Sequence, residues 1–172
     1  MPPSTYGTSK GEHIMYYDFF ETGLIGTLTL AGDETGLRHI KFEKEKKPTI
    51  IRDVWKKKPD FFAPLKAQLR AYFKRELKHF DIPLAPVGTP FQLKVWQALR
   101  SIPYGELVSY KSIAKAIGNP KAVRAVGGAN GKNPIPIIVP CHRVIGSDGS
   151  LTGFGGGLQT KKRLIDLERS WL

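Results

Sequence analysis

The stretch that decides the fold is Ser109-Tyr110-Lys111-Ser112-Ile113-Ala114-Lys115-Ala116-Ile117-Gly118, followed by Asn119-Pro120-Lys121-Ala122-Val123-Arg124-Ala125-Val126-Gly127-Gly128-Ala129. Ser109 is a helix N-cap and Gly118 a helix stop. Asn119-Pro120 restarts a second helix that runs to Ala129. Two short helices around a Gly-Asn-Pro turn predict a helix-turn-helix. An ordinary helical hairpin is the alternative. The second helix is rich in small residues, so its face can approach a DNA groove closely. Beyond Lys121, its one long basic side chain is Arg124.

Twelve residues downstream of Ala129 stands Cys141, the only cysteine of the chain, within Pro140-Cys141-His142-Arg143 and directly after the apolar run Ile135–Val139. A lone thiol forms no intramolecular disulfide and no multi-cysteine zinc site. It is either a small buried hydrophobe or a nucleophile. His142 and Arg143 favour the nucleophile if the thiol lies near their charge. A nucleophile close to a DNA-reading element points to chemistry on DNA.

Upstream of the helix-turn-helix, Ile14–Phe20, Leu24–Ala31 and Leu37–Phe42 are short β-rich runs separated by Gly-containing turns, an antiparallel meander. Phe61, Phe62, Leu65, Leu69, Tyr72 and Phe73 recur at helical spacing and predict a helix over Asp60–Lys78 packed on that sheet. Lys44–Lys47 and Lys56–Lys58 read as solvated faces. Proline-rich Pro83–Pro90 marks a boundary, which divides the chain into 1–85 and 86–172. Thr89 caps the next helix, with Pro90 at its first position and Phe91, Val95, Trp96 and Leu99 as its apolar stripe. Gly153–Gly157 is a glycine loop carrying Phe154. Thr160 is expected to cap a last helix over Lys161–Arg169. The fold class is α+β: a small sheet plus helix, then a mostly helical domain with the helix-turn-helix.

Composition narrows the function. The 172 residues are 41% hydrophobic, enough for a core and against wholesale disorder. The net charge is +12. Residues 1–88 carry 15 Lys+Arg against 11 Asp+Glu, and residues 89–172 carry 12 against 4. The positive excess therefore sits mostly in the half that holds Cys141, which suits a polyanionic partner. No apolar run approaches the roughly 20 residues of a membrane span. Met1–His13 is polar, lacks an apolar signal core and reads as a flexible lead-in. A free thiol without an export signal points to a reducing cytoplasm, with association to the nucleoid in a prokaryote.

Taken together, these pieces closely resemble the O6-alkylguanine-DNA alkyltransferase family. The matching blocks are Gly105-Glu106-Leu107-Val108-Ser109-Tyr110, then Gly118–Gly127, then Asn133-Pro134-Ile135-Pro136-Ile137-Ile138-Val139-Pro140-Cys141-His142-Arg143-Val144-Ile145-Gly146. The resemblance implies a ribonuclease-H-like N-terminal domain. It also implies a single-turnover repair reaction, in which Cys141 takes the alkyl group from O6-alkylguanine, and by extension O4-alkylthymine, in double-stranded DNA. No cofactor is implied. Zinc, which some relatives bind through cysteines and histidines, is not expected: no cysteine is available in the N-terminal half, and His13, His39 and His79 show no metal spacing. A monomer is expected, with cooperative loading on DNA left open.

The resemblance also assigns roles. His142 and Glu168 would activate Cys141 through a cysteine–water–histidine–glutamate relay. A bridging water fits an extended segment, where adjacent side chains diverge. Tyr110 would donate to the leaving base, and Asn133 would brace the active-site turn. Val144 and Cys141 would offer carbonyls to the exocyclic amine. Gly155 would present its N–H near O6, and Phe154 would form a pocket wall. Asn130 stands where some relatives carry an apolar pocket residue. Arg124 would fill the stack when the base flips out, and Lys121, Ala122, Ala125, Gly127 and Gly128 would lie along the minor groove. Read on their own, Glu168 is also a surface helix carboxylate, Tyr110 a core tyrosine and Arg124 a surface arginine. A non-catalytic lesion binder and a cysteine hydrolase are the competing functions. The hydrolase needs a separate base and an oxyanion hole, for which no partner motif is present.

Overall fold

The structure, a computed structural model, describes residues 14–43 and 51–170. The expected lead-in Met1–His13 and the Lys44–Lys47 face lie outside the described residues.

The meander forms as expected, with bounds shifted by the turns. Strands β1 (Tyr16–Glu21), β2 (Thr27–Asp33) and β3 (Gly36–Phe42) pair antiparallel in sequence order. Side chains fix both turns. Thr22 Oγ1 accepts from the Ile25 N–H at 2.8 Å and donates to the Gly26 carbonyl at 2.8 Å. Asp33 Oδ1 accepts from the Thr35 N–H at 2.8 Å, an Asx-type turn. A fourth strand was not foreseen: β4 (Lys56–Lys57) pairs parallel to β1 at the sheet edge. Its lysines are exposed, as a solvated face requires, and lysine is one of the residues that keeps a sheet edge from pairing further.

Helix α1 (Ala63–Phe73) follows a 3-10 turn at Pro59–Phe62 and ends five residues before the expected Lys78. Arg75 takes a left-handed φ of 63°. Its N–H donates to the Tyr72 carbonyl at 2.9 Å and the Glu76 N–H to that of Ala71 at 2.8 Å. This is a Schellman stop with arginine where glycine is usual, which is why no glycine announced it. Leu65, Leu69 and Tyr72 pack under Leu28, Leu30, Leu37 and Ile40.

Helix α2 (Pro90–Arg100) has the full capping box: Thr89 accepts from the Gln92 N–H, and the Gln92 side chain accepts from the Thr89 N–H. Val95, Trp96 and Leu99 are buried, and Phe91 is half-buried. The two expected short helices are present as α3 (Tyr110–Ala116) and α4 (Val123–Gly131). Ser109 caps α3, accepting from the Ser112 N–H at 3.0 Å, and Gly118 ends it at φ 76°. Helix α4 begins later than expected. Asn119–Ala122 form a turn closed by the Ala122 N–H on the Asn119 carbonyl, so Lys121 and Ala122 precede the helix. Trp96 Nε1 donates to the Ala129 carbonyl at 2.9 Å, locking α2 to α4. Strands β5 (Val108–Ser109) and β6 (Val144–Ile145) make a short parallel pair. The last helix, α5 (Leu158–Arg169), is capped by Gly157 at φ 93°. Thr160 therefore sits inside the first turn rather than capping it.

One hydrophobic cluster runs from the sheet and α1 into α2, α4 and α5. The Pro83–Pro90 segment is pinned rather than free: the Leu37 N–H donates to the Pro83 carbonyl and the Ala85 N–H to that of Leu37, both at 2.8 Å. Further along β3, the Ile40 N–H donates to the Pro134 carbonyl at 2.9 Å. These bonds bring β3 up against the turn that leads into Cys141. Among the described residues, no helix is long and apolar enough to cross a membrane.

Candidate active site

The apolar run before Cys141 forms a tight turn, not a strand. The Val139 N–H reaches back to the Ile135 carbonyl at 3.0 Å. Ile137 at its centre has φ 76° and is buried. A β-branched residue there is strained, by about 1–3 kcal/mol. Asn133 holds this turn from inside. Its Nδ2 donates to the Val139 carbonyl at 2.7 Å, and its Oδ1 accepts from the Ile135 N–H at 3.0 Å. Asn130, on α4, donates weakly to the Cys141 carbonyl at 3.5 Å, while its Oδ1 is buried with no hydrogen-bond partner among the described residues.

Cys141 itself opens a 3-10 turn, Cys141–Arg143, which corrects the expected extended segment. Successive residues on such a turn project about 120° apart, so Cys141 and His142 still diverge. The thiol is only 5% exposed. Burial pushes its pKa up to about 11; a hydrogen bond from Asn133 and the charge of Lys161 oppose this only in part. At rest the group is a protonated thiol. The cation near it is Lys161, not Arg143.

Arg143 is engaged elsewhere. Its Nε and Nη2 grip Glu168 in a bidentate pair, both at 2.9 Å, and its Nη1 donates to the Ile102 carbonyl at 2.6 Å. Glu168 is 1% exposed, so it is no surface carboxylate. Besides Arg143, it accepts from His142 Nε2 at 2.6 Å, the Tyr72 hydroxyl at 2.7 Å and the Gly105 N–H at 3.2 Å. Burial alone would raise this carboxyl. The hydrogen bonds and charges of His142 and Arg143 overcome that and hold it well below the usual range. It stays a carboxylate, which accepts only, so the imidazole carries its proton on Nε2. Burial keeps His142 below its ordinary pKa despite Glu168, and the ring is neutral near pH 7. Its Nδ1 therefore has a lone pair, and it has no hydrogen-bond partner among the described residues. A thiol one residue from a neutral imidazole, itself oriented by a buried carboxylate, fits a nucleophile activated by a base through a bridging water.

Sequence reasoning missed Lys161. It is fully buried on α5, and its Nζ donates to the carbonyls of Val144 at 2.5 Å and Thr152 at 2.9 Å. Its spacing to Leu164, Ile165 and Glu168 places it on the inward helix face, a signal that was readable. Tyr72 was read as core, which is correct. Its bond to a carboxylate 96 residues away was not visible.

Two expected base contacts already have partners. The Tyr110 hydroxyl donates to the Thr152 carbonyl at 2.9 Å, and the Val144 carbonyl holds Lys161. A cavity of about 200 Å³ reaches Cys141. Of the expected site residues, Asn133, Phe154 and Gly155 line it; Tyr110 and Val144 do not. Ile40, Lys41 and Phe42 of β3 line it as well. On α4 and the turn before it, Lys121, Arg124, Ala125 and Gly128 are exposed, while Ala122 and Gly127 are half-buried. A Cβ at Gly128 would touch nothing within 4 Å, so internal packing does not require glycine there.

A buried thiol with an oriented imidazole, beside a pair of short helices with a small-residue face, fits the class of proteins that perform thiol chemistry on a nucleic acid. Comparison with known proteins narrows this class. Two family models match: "6-O-methylguanine DNA methyltransferase, DNA binding domain" over residues 90–170, and the ribonuclease-like domain of the same family over residues 15–86. The chain is 56% identical over 156 residues to a methylated-DNA–protein-cysteine methyltransferase of Methanosarcina acetivorans, covering 91% of this chain and 99% of the relative. It is 47% identical over 158 residues to the protein of that name from Haemophilus influenzae, covering 90% and 87%. The crystal structure of Mycobacterium tuberculosis OGT in complex with DNA superposes with a TM-score of 0.81 at 48% identity, covering 91% of this chain and 92% of the other. The chain belongs to the 6-O-methylguanine-DNA methyltransferase family.

Proposed function

We propose that this protein repairs alkylated DNA by direct reversal, transferring the alkyl group of O6-alkylguanine to Cys141. The observation that carries the reading is the Cys141–His142–Glu168 constellation, whose thiol alone lies at the wall of a cavity. The reaction is an in-line displacement. Sulfur forms a bond to the alkyl carbon as the bond from that carbon to O6 breaks. The thiol proton passes through a water to His142 Nδ1, the departing guanine anion takes one proton from solvent at N1, and His142 returns its proton to solvent. Glu168 fixes the tautomer that makes Nδ1 the base.

Because the resting thiol is raised to about 11, it ionises only as the base takes its proton. The nucleophile is thus kept unreactive until a substrate is present. Lys161 supplies the compensating positive charge. Asn133 holds the turn and donates to the thiolate. Glycine at 155 keeps its backbone at the cavity wall without a side chain. The target base is inside a duplex and is flipped out, with Arg124 taking its place in the stack and the small face of α4 in the minor groove. Binding is driven by phosphates and weakens with salt. The thioether product does not reverse, so each molecule acts once. We place the protein in the reducing cytoplasm, where its thiol persists. It acts as a monomer, since a single chain supplies the thiol, the relay and the cavity.

The test is intact-protein mass after incubation with excess duplex carrying one O6-methylguanine. The expected result is a gain of one methyl group on the wild type and none on Cys141→Ala, with guanine restored. DNA binding without any mass gain would instead establish a non-catalytic lesion binder.

A further inference from the structure

The cavity beside Cys141 is not built by the C-terminal half alone. The end of β3 forms one side of it, with Phe42 facing Pro136, Phe154 and Gly155. Its placement is specific. The Ile40 N–H is bonded to the Pro134 carbonyl at 2.9 Å, inside the segment that leads to Cys141. The rings of Phe42 and Phe154 meet at 5.5 Å between centroids, tilted by 54°. Gly156 leaves room for that pair: a Cβ there would lie 2.9 Å from Phe42 and 3.0 Å from Phe154.

During transfer the reacting carbon sits against the Cys141 sulfur. A methyl group ends there and does not cross a cavity of about 200 Å³. A larger group continues from that carbon into the cavity and meets its apolar walls. Aromatic walls offer contact area with a preferred geometry. We propose that Phe42, from the N-terminal sheet, is a specificity-determining residue whose ring is the wall against which large apolar O6-alkyl groups lie during transfer. The inference rests on the alkyl-transfer reading above. The chemistry is the same displacement, with sulfur gaining the alkyl carbon and guanine leaving as the anion that takes a proton from solvent.

The experiment measures single-turnover transfer from duplexes carrying O6-benzylguanine or O6-methylguanine, using the full chain and the variants Phe42→Ala and Phe42→Leu. The readout is the benzyl-to-methyl rate ratio within one preparation, which a partly unfolded sample does not alter. The ratio is expected to fall at least about tenfold in Phe42→Ala, the scale of discrimination by an apolar pocket wall, and to fall much less in Phe42→Leu, which keeps an apolar wall. A Phe42→Ala ratio within about twofold of wild type, inside the smallest effect of a lost apolar contact, overturns the proposal. A higher ratio also overturns it, because the ring would then obstruct large groups. Wild-type protein that transfers neither group refutes the transfer reading itself, a result distinct from an unchanged ratio.

Discussion

Among the described residues, Glu168 accepts from five donors on four residues: His142, the two Arg143 nitrogens, the Gly105 N–H and the Tyr72 hydroxyl. Tyr72 is a donor with no chemical part in the reaction, and it comes from α1 under the sheet. Its bond draws electron density from the same oxygen, Oε1, that orients His142. Removing it in Tyr72→Phe leaves that oxygen more negative and favours the imidazolium. The His142 titration is then expected to move up toward its ordinary value, and the acid limb of the alkyl-transfer pH profile to move up with it. Imidazole NMR across pH reads the first directly; a midpoint that stays or falls contradicts the coupling. The lost bond to a charged group should also cost about 1.5–3 kcal/mol of stability. The site was unevenly legible from sequence at this scale. Cys141 and His142 were adjacent in one motif. Glu168 became a site residue only through resemblance, because a helix carboxylate read alone favours the surface. The Tyr72 bond spans 96 residues, and local pattern holds no trace of such a contact.

Elements were legible where their boundaries used the usual residues. Thr89-Pro90, Ser109 and Gly118 start or stop helices as read, because a hydroxyl cap and a glycine leave direct marks in sequence. The errors fall where the backbone does something its residue type does not announce. Arg75 ends α1 at φ 63°, so the apolar periodicity suggested a helix reaching Lys78. Ile137 turns the chain at φ 76°, so Ile135–Val139 read as a plain apolar run. Gly157 takes the cap position that Thr160 was expected to fill. The Arg75 stop is the simpler of these to test, because its side chain is not buried. Arg75→Gly removes a left-handed strain of about 1–2 kcal/mol and adds an unfolded-state entropy cost of about 0.5–1 kcal/mol. A net stabilisation of about 0.5–1 kcal/mol is expected, seen as a higher urea midpoint with an unchanged slope. A lower midpoint would mean that the arginine side chain contributes more than its backbone costs.

At the scale of the whole molecule, the buried titrating groups set a pH window for stability. His142 and Glu168 both have folded pKa values below their ordinary ones. The unfolded chain therefore binds more protons, and stability is lost as pH falls, from about 6.5 for the histidine and about 4.3 for the glutamate. Cys141 acts in the opposite direction, raised from 9.0 to about 11. Between those values the unfolded state gives up the thiol proton while the folded state keeps it. Stability then falls by about 1.4 kcal/mol per pH unit, or roughly 2–3 kcal/mol across the window. Lys161, lowered by burial, contributes with the reverse sign at alkaline pH, and it is present in both proteins to be compared. Urea unfolding of wild type and Cys141→Ala from pH 5 to 11 separates the two arms. The acid arm is expected to be common to both. Above about pH 9, the ordinary titration of an exposed thiol, the wild type is expected to lose stability relative to the variant. Methylation of Cys141 abolishes the same proton, so the repaired-DNA product form of the protein should follow the variant and lose the thiol's share of the alkaline arm, keeping that of buried Tyr72. Parallel alkaline arms in wild type and variant would show that the folded thiol titrates near 9 like an exposed one, so that burial does not hold its proton.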